Sequence, residues 1–122
     1  MNKSISLHGP TLFWALLIFS LSSIPSLDVP DLGFQVQDKF YHACEFAVFG
    51  FLLRRSATAF SCSKSALWKL SALIGVLYAV LDEIHQYFVP GREADWGDLI
   101  ADVIGIFIGI CMFNLWAKRK LK

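Results

Sequence analysis

Charged residues are scarce in this sequence. Asp, Glu, Lys and Arg make up 17% of its 122 residues, whereas hydrophobic residues make up 56%. Soluble domains usually carry about 25% charged residues and about 45–50% apolar ones. The composition therefore excludes an ordinary soluble domain and indicates an integral membrane protein. The length suits one domain covering residues 1–122, and we expect no nucleic-acid partner.

Cysteine is also rare, and its spacing excludes two kinds of site. Cys44, Cys62 and Cys111 are odd in number and match neither a zinc framework nor a disulfide framework. We interpret all three as small apolar residues. The sequence also lacks internal repeats and the alternating pattern of barrel strands, so its apolar segments are predicted to be helices.

Four apolar segments are close to the length of about 20 residues that a bilayer requires. They cover residues 11–24, 40–60, 67–88 and 97–116. The sequence therefore predicts an all-α membrane protein with four transmembrane helices. A cleaved signal peptide is the alternative for the first segment, but no clear A-x-A-like cleavage site follows it.

Basic residues are distributed unevenly around these segments. With both termini in the cytoplasm, nine of the 11 lie inside, namely Lys3, Arg54, Arg55, Lys64, Lys69, Lys118, Arg119, Lys120 and Lys122. Only Lys39 and Arg92 then lie outside. The positive-inside rule thus predicts cytoplasmic termini. All 10 acidic residues then fall on outer loops or in the outer halves of helices.

Polar side chains share faces on the second and third predicted helices. Asp38, His42 and Glu45 are spaced i, i+4, i+7, which places them on one face. On the third helix, one face carries Asp82, His85 and Gln86, while Glu83 is displaced by about 100°.

The fourth predicted helix carries two aspartates on the same stripe as two glycines. Asp98 and Asp102 are spaced i, i+4, and the stripe continues as Gly105 and Gly109. The GxxxG spacing lets helix backbones approach closely, so this stripe is predicted to face the bundle interior.

Buried charges cost several kcal/mol unless they are paired or hydrated. The positive partners here are fewer than the carboxylates, so we predict a partly wet pocket that opens outward among helices two, three and four. The residues predicted to contact a ligand are Asp38, Lys39, Glu45, Gln86, Arg92, Asp98 and Asp102. Structural alternatives remain open: Asp95 and Asp98 as helix caps, Asp38 and Lys39 as an interfacial pair, and His42 as an interhelical histidine.

Two kinds of chemistry are open to the histidines and acids of this cluster. In the first, Glu83 or Asp82 acts with His85 and His42 as general acid and base. In the second, the i, i+3 pairs on helices two and three bind a divalent metal such as zinc, iron or manganese. The ligands would be His42, Glu45, Asp82 and His85. This spacing is common by chance.

Two stretches, "DKFYHACEFAVFGFLL" and "DEIHQYFVPGREADWGDLIADVIGIFIG", resemble the VanZ-like family of small integral membrane proteins. That family pairs an Asp-Lys…His helix start with an Asp-Glu…Gln…Pro-Gly-Arg…Asp…Gly segment. Asp102 stands where the family pattern has asparagine, so the charge differs at this position. The matching positions are Asp38, Lys39, His42, Asp82, Glu83, Gln86, Pro90, Gly91, Arg92, Asp98, Gly105 and Gly109.

The resemblance implies a multi-pass protein of the bacterial cytoplasmic membrane with a role in the cell envelope. The founding member is associated with resistance to teicoplanin, although most relatives lie outside resistance clusters. Three functions follow as hypotheses. The first is binding of an amphipathic envelope molecule, such as a lipid-linked precursor or a lipoglycopeptide, beside membrane lipids. The second is an enzyme acting on such a molecule. The third, a proton or cation pathway, is disfavoured because the polar cluster does not continue inward.

Overall fold

The computed structural model describes residues 2–28, 30–33 and 36–121, which form four α-helices. These are α1 (Lys3–Ser22), α2 (Gln37–Ala57), α3 (Lys64–Tyr87) and α4 (Trp96–Lys120). No strand occurs within these described ranges. The predicted all-α class and the number of helices are therefore confirmed. Lys122 of the predicted basic tail lies outside the described residues.

The helix ends follow from local capping. α1 begins at Lys3 rather than at residue 11, because the Asn2 side chain accepts a hydrogen bond from the Ser4 N–H at 3.2 Å. Ser63 caps α3 by accepting from the Ala66 N–H at 3.1 Å. Asp95 caps α4 by accepting from the Gly97 N–H at 2.8 Å. The capping interpretation of Asp95 is thus confirmed.

Three of the helices, α1, α3 and α4, are long and apolar enough to cross a membrane. These are the helices of a multi-pass membrane protein. α2 has 21 residues, but charged residues at both ends and Glu45 in its middle lower its hydropathy. Length and composition alone therefore do not identify α2 as a span.

α2 and α4 form the most extensive helix interface. Gly105 lies against the backbone carbonyl of Ala43, and Gly109 against that of Ala47, so closely that a Cβ on either glycine would collide with α2. The predicted close packing of the α4 stripe is confirmed. α2 supplies the small residues that make this approach possible.

An apolar core lies next to the acidic residues of α2, α3 and α4. Its most buried members are Ile18, Phe46, Ile106 and Ile110, each 0% exposed. Phe46 directly follows Glu45 in α2, and Ile106 lies one turn after Asp102 in α4, toward the ends that carry the basic residues. The core therefore separates the acidic cluster from His8, Lys64 and Lys69, which the longer helices α1 and α3 include. α1 packs against α2 and, over a smaller area, α3.

Candidate functional site

Lys39 joins the start of α2 to the start of α4. Its ammonium group lies 2.7 Å from a carboxylate oxygen of Asp95, 3.1 Å from Asp98 and 3.4 Å from Asp38. The Lys39 ammonium and the Gly97 amide hold the pKa of Asp95 below its ordinary value. The predicted Asp38–Lys39 pair exists, but Lys39 binds the α4 carboxylates more closely.

His42 lies between two aspartates of α4. Its Nδ1 is 2.9 Å from Oδ1 of Asp102, and its Nε2 is 3.7 Å from Oδ2 of Asp98. The Asp102 side chain is 0% exposed. When Asp102 is ionised, its carboxylate accepts this hydrogen bond from Nδ1. This bond fixes the ring orientation and leaves Nε2 toward Asp98.

The two neighbouring acids of α3 contact different parts of the molecule. Oδ2 of Asp82 accepts from the Gln86 amide at 2.9 Å, and the same amide nitrogen is 3.3 Å from Oγ of Ser22 in α1. Oε2 of Glu83 accepts from the backbone N–H of Asp95 at 3.2 Å. Asp82 therefore lies on the α1 side and Glu83 beside the start of α4.

Three buried carboxylate oxygens have no hydrogen-bond partner among the described residues. They are Oε1 of Glu45, Oε1 of Glu83 and Oδ2 of Asp102. Buried carboxylate oxygens normally accept hydrogen bonds, since the loss of water is otherwise uncompensated. One residue on each of α2, α3 and α4 thus has an unused acceptor.

His85 is turned away from this cluster. Its Nε2 is 2.9 Å from Oγ of Ser23, and its ring stacks on Phe19 with the centroids 4.7 Å apart. The structure therefore does not bring together the predicted catalytic group that included His85. The i, i+3 spacing predicts that His85 shares a face with Asp82. The two side chains nevertheless differ by about 60° around the helix axis, and His85 meets the end of α1.

Arg92 holds the C-terminal end of α1. Its guanidinium donates to the carbonyl of Leu21 at 2.7 Å and to that of Ile24 at 3.2 Å, where the helix leaves carbonyls unsatisfied. The preceding turn places Gly91 at φ +75°, and the Arg92 N–H donates to the Val89 carbonyl at 3.1 Å. The Pro-Gly turn is confirmed. Arg92, which was predicted to contact a ligand, also has a structural role in binding the end of α1.

A cavity of about 910 Å³ lies between α1, α2 and the loops that follow α1 and α3. Apolar side chains of α1 form one wall, and polar side chains of α2, α3 and α4 form the other end. His42, which was predicted as a catalytic residue, lines it, whereas Lys39 and Asp102 are not among its lining residues. The predicted ligand contacts that line it are Asp38, Glu45, Gln86, Arg92 and Asp98. Sequence analysis missed the α1 wall of Trp14, Leu17 and Leu21. The serines that end α1 were the available signal for a polar boundary there.

A second cavity, of about 600 Å³, lies between α3 and α4. Its lining is mostly apolar and includes Tyr87, Phe88, Trp96 and Leu99, with Glu83 as a buried carboxyl group. The polar cluster therefore has a cavity on each side.

The arrangement of possible metal ligands differs from the predicted one. One ligand atom each from His42, Glu83 and Asp102 lies within 4.8 Å of the others. The predicted set contained His42 with Glu45, Asp82 and His85. His85 contacts α1 and Asp82 is bound by Gln86, so the structure does not assemble that set.

Comparison with known proteins gives the affiliation of the chain. A family model described as VanZ/LLP1 matches residues 7–117. The chain belongs to the VanZ/LLP1 family. The VanZ-like resemblance of the sequence is therefore confirmed.

A relative in the fission yeast Schizosaccharomyces pombe, an uncharacterized protein, is 31% identical to this VanZ/LLP1 member over 114 residues. The match covers 91% of this chain and 65% of the relative, so the chain spans less than two thirds of that protein's length. No solved structure matches the chain.

Proposed function

We propose that this VanZ/LLP1 member binds an amphipathic envelope molecule in the cavity between α1 and α2. The supporting observation is that one cavity of about 910 Å³ combines apolar walls with a polar end. Ligand sites are typically concave and mostly apolar, with a few polar groups that orient the ligand. An apolar chain fits against Trp14, Leu17 and Val48, and a polar head fits among the groups near His42.

The charges of the polar end indicate what kind of head group it takes. Asp28, Asp38, Glu45, Glu93 and Asp98 line the cavity together with the cations Arg92 and His42. The carboxylates outnumber the cations, so the head group should carry hydrogen-bond donors or an amine. A lipid-linked envelope precursor or a lipoglycopeptide such as teicoplanin belongs to this class.

The proposal places the polar end on the extracytoplasmic side, with α2 as the fourth span and both termini in the cytoplasm. The distribution of basic residues supports this orientation, and the extensive contact of α2 with α4 supports a shared depth. The bacterial cytoplasmic membrane is the proposed location. This location rests on the envelope context that the VanZ-like resemblance implies, and the yeast relative shows that similar proteins also occur outside bacteria.

Cysteine labelling tests this topology. Cys62 is exposed in the loop between α2 and α3, so after Cys44→Ser and Cys111→Ser an impermeant maleimide should label it only in permeabilised cells. A cysteine introduced at Asp31 in a chain that lacks the other three should react in intact cells. The reverse labelling would contradict the orientation.

Filling the cavity tests ligand binding. Leu17→Trp adds bulk inside the cavity, whereas the matched control Leu16→Trp adds it at a side chain that is 66% exposed. Native mass spectrometry of the detergent-purified proteins, with and without teicoplanin, should show lipid or teicoplanin adducts on the wild type and control. The adducts should be at least tenfold depleted on Leu17→Trp. Equal adducts on all three proteins would contradict the proposal.

A second candidate function is acid–base chemistry on the bound head group. The supporting observation is the hydrogen bond of 2.9 Å between His42 and Asp102 beside the cavity. A buried carboxylate that orients a histidine is a recurring arrangement in general base catalysis. Under this alternative, Asp102→Asn would leave the bound lipid unconverted, while His85→Gln would not change its conversion.

The proposed proton or cation pathway gains no support from the structure. The apolar core around Phe46, Ile106 and Ile110 lies directly inward of the cluster.

A further inference from the structure

We propose that His42, Glu83 and Asp102 form a binding site for one divalent transition-metal ion that links α2, α3 and α4. The inference does not depend on which amphipathic molecule the larger cavity binds. It differs from the metal set expected from sequence, with which it shares His42 alone.

Geometry is the first support for this site. One nitrogen or oxygen atom from each of the three residues lies within 4.8 Å of the others. Bonds of about 2.0–2.2 Å to a metal bring opposite ligand atoms to about 4 Å. A small inward movement of the side chains is therefore enough to close the three ligands around an ion. Each ligand comes from a different helix, so a bound ion would link three helices.

Unused acceptors are the second and independent support. Glu83 is 7% exposed and Asp102 is 0% exposed. Oε1 of Glu83 and Oδ2 of Asp102 are both buried without a hydrogen-bond partner. Both residues belong to the group whose ligand atoms converge. The other oxygen of Glu83 accepts from the Asp95 N–H, and the other oxygen of Asp102 contacts His42 of α2. These contacts orient the free oxygens, just as hydrogen bonds from surrounding groups orient the ligands in known metal sites.

The charge of the cluster is the third support. The nearest lysine, Lys39, is already bound to Asp38, Asp95 and Asp98. Among the described residues, no lysine or arginine forms an ion pair with Glu83 or Asp102. A buried pair of carboxylates needs more positive charge than one histidine supplies. A divalent ion with neutral His42 balances the two carboxylates.

The donor set selects the type of ion. One imidazole and two carboxylates suit zinc or manganese better than ions that prefer sulfur ligands or an all-oxygen shell. Three protein ligands leave further coordination positions for water or for a polar head group. His42 also borders the larger cavity and Glu83 the smaller one, so such positions would be accessible from either side.

Metal uptake by the full-length protein tests the site. The protein would be purified in detergent with a histidine-free tag, stripped with a chelator, and dialysed against Zn²⁺ or Mn²⁺ in separate experiments. Mass-spectrometric metal analysis should find about one ion per chain in the wild type. Glu83→Gln, Asp102→Asn and His42→Gln should each weaken the affinity at least about tenfold.

The matched control is His85→Gln, which removes a histidine from α3 near Glu83 but outside the ligand group. This variant should bind metal like the wild type, and circular dichroism would confirm that all variants keep their helices. The metal should also raise the unfolding temperature of the wild type and not that of Glu83→Gln, because it links three helices. Equal uptake by wild type and the Glu83→Gln/Asp102→Asn double variant, or loss of uptake in His85→Gln, would overturn the inference. If the wild type bound no metal but kept its lipid adducts, the metal site would be overturned and the cavity proposal would stay intact.

Discussion

The two halves of the α2–α4 interface are held together by different forces. Following the proposed orientation, we call the part around Gly105 and Gly109 the inner half and the part around Lys39 and His42 the outer half. In the inner half, the two glycines place the α4 backbone directly against Ala43 and Ala47. In the outer half, Lys39 and His42 of α2 face three aspartates of α4. The inner half is stabilised by close packing that tolerates no added atom. The outer half consists of ionisable side chains that can exchange partners, which suits a binding site.

Adding one methyl group to the inner half should have the largest effect. In Gly109→Ala the new Cβ would meet backbone atoms of Ala47 and Phe51, which cannot move without separating the helices. Overpacking typically costs about 1–3 kcal/mol, and a backbone contact belongs at or above the upper end of that range. Denaturant unfolding in detergent measures the loss.

The control for that experiment is Gly9→Ala, where the nearest atom to a new Cβ is a side-chain carbon of Ile5 at 3.8 Å. This change should be neutral or should stabilise the protein by up to about 1 kcal/mol, since alanine favours helices. Similar destabilisation by both substitutions would mean that the inner half is not closely packed.

Removing the central cation of the outer half should have a smaller effect. Lys39→Met leaves Asp95 and Asp98 without their lysine, but the Lys39 side chain is 34% exposed. Water screens an ion pair at such a position, so the expected loss in the free energy of unfolding is about 1 kcal/mol. Lys69→Met, at an exposed lysine of α3, is the matched control and should change the stability little. A loss as large as that of Gly109→Ala would remove the distinction between the halves.

The smallest expected effect concerns acid pH and Asp95. The pKa of Asp95 is lowered in the folded protein by Lys39 and the Gly97 amide. As the pH falls below the pKa of Asp95 in the unfolded chain, the unfolded chain therefore takes up a proton before the folded protein does. The stabilisation is therefore present above the ordinary value of 3.8 and is lost as the pH falls through the lowered pKa. The unfolding temperature of Asp95→Asn should vary less than that of the wild type from about pH 5 to about pH 3. A steeper dependence in the variant would contradict the assigned contact.

The sequence was sufficient to predict helix class, helix number and the α4 packing stripe, because apolar length and small-residue spacing are local properties. Five of the seven residues predicted to contact a ligand also line the larger cavity. The orientations of His85 and Glu83 were not predictable in this way. Both lie close together on α3, but His85 meets the end of α1 and Glu83 meets the start of α4. Helical periodicity groups residues by face but does not state which helix covers that face.

The role of Arg92 was hidden for a related reason. Its partners are the backbone carbonyls of Leu21 and Ile24, which have no signature in the sequence. Likewise, the start of α1 was predicted too late because Pro10 and the polar residues before it interrupt the apolar segment. Asn2 supplies the cap that allows the helix to continue.

The dependence of α2 on α4 has a consequence for biosynthesis. Ribosomes release α2 before α4, yet α2 is the least apolar helix and α4 provides its largest interface. During translation its charged face has no partner until the last quarter of the chain emerges. With α2 as the proposed fourth span, truncation before α4 should therefore leave α2 unable to remain stably inserted, and membrane assembly would be completed only after synthesis reaches α4.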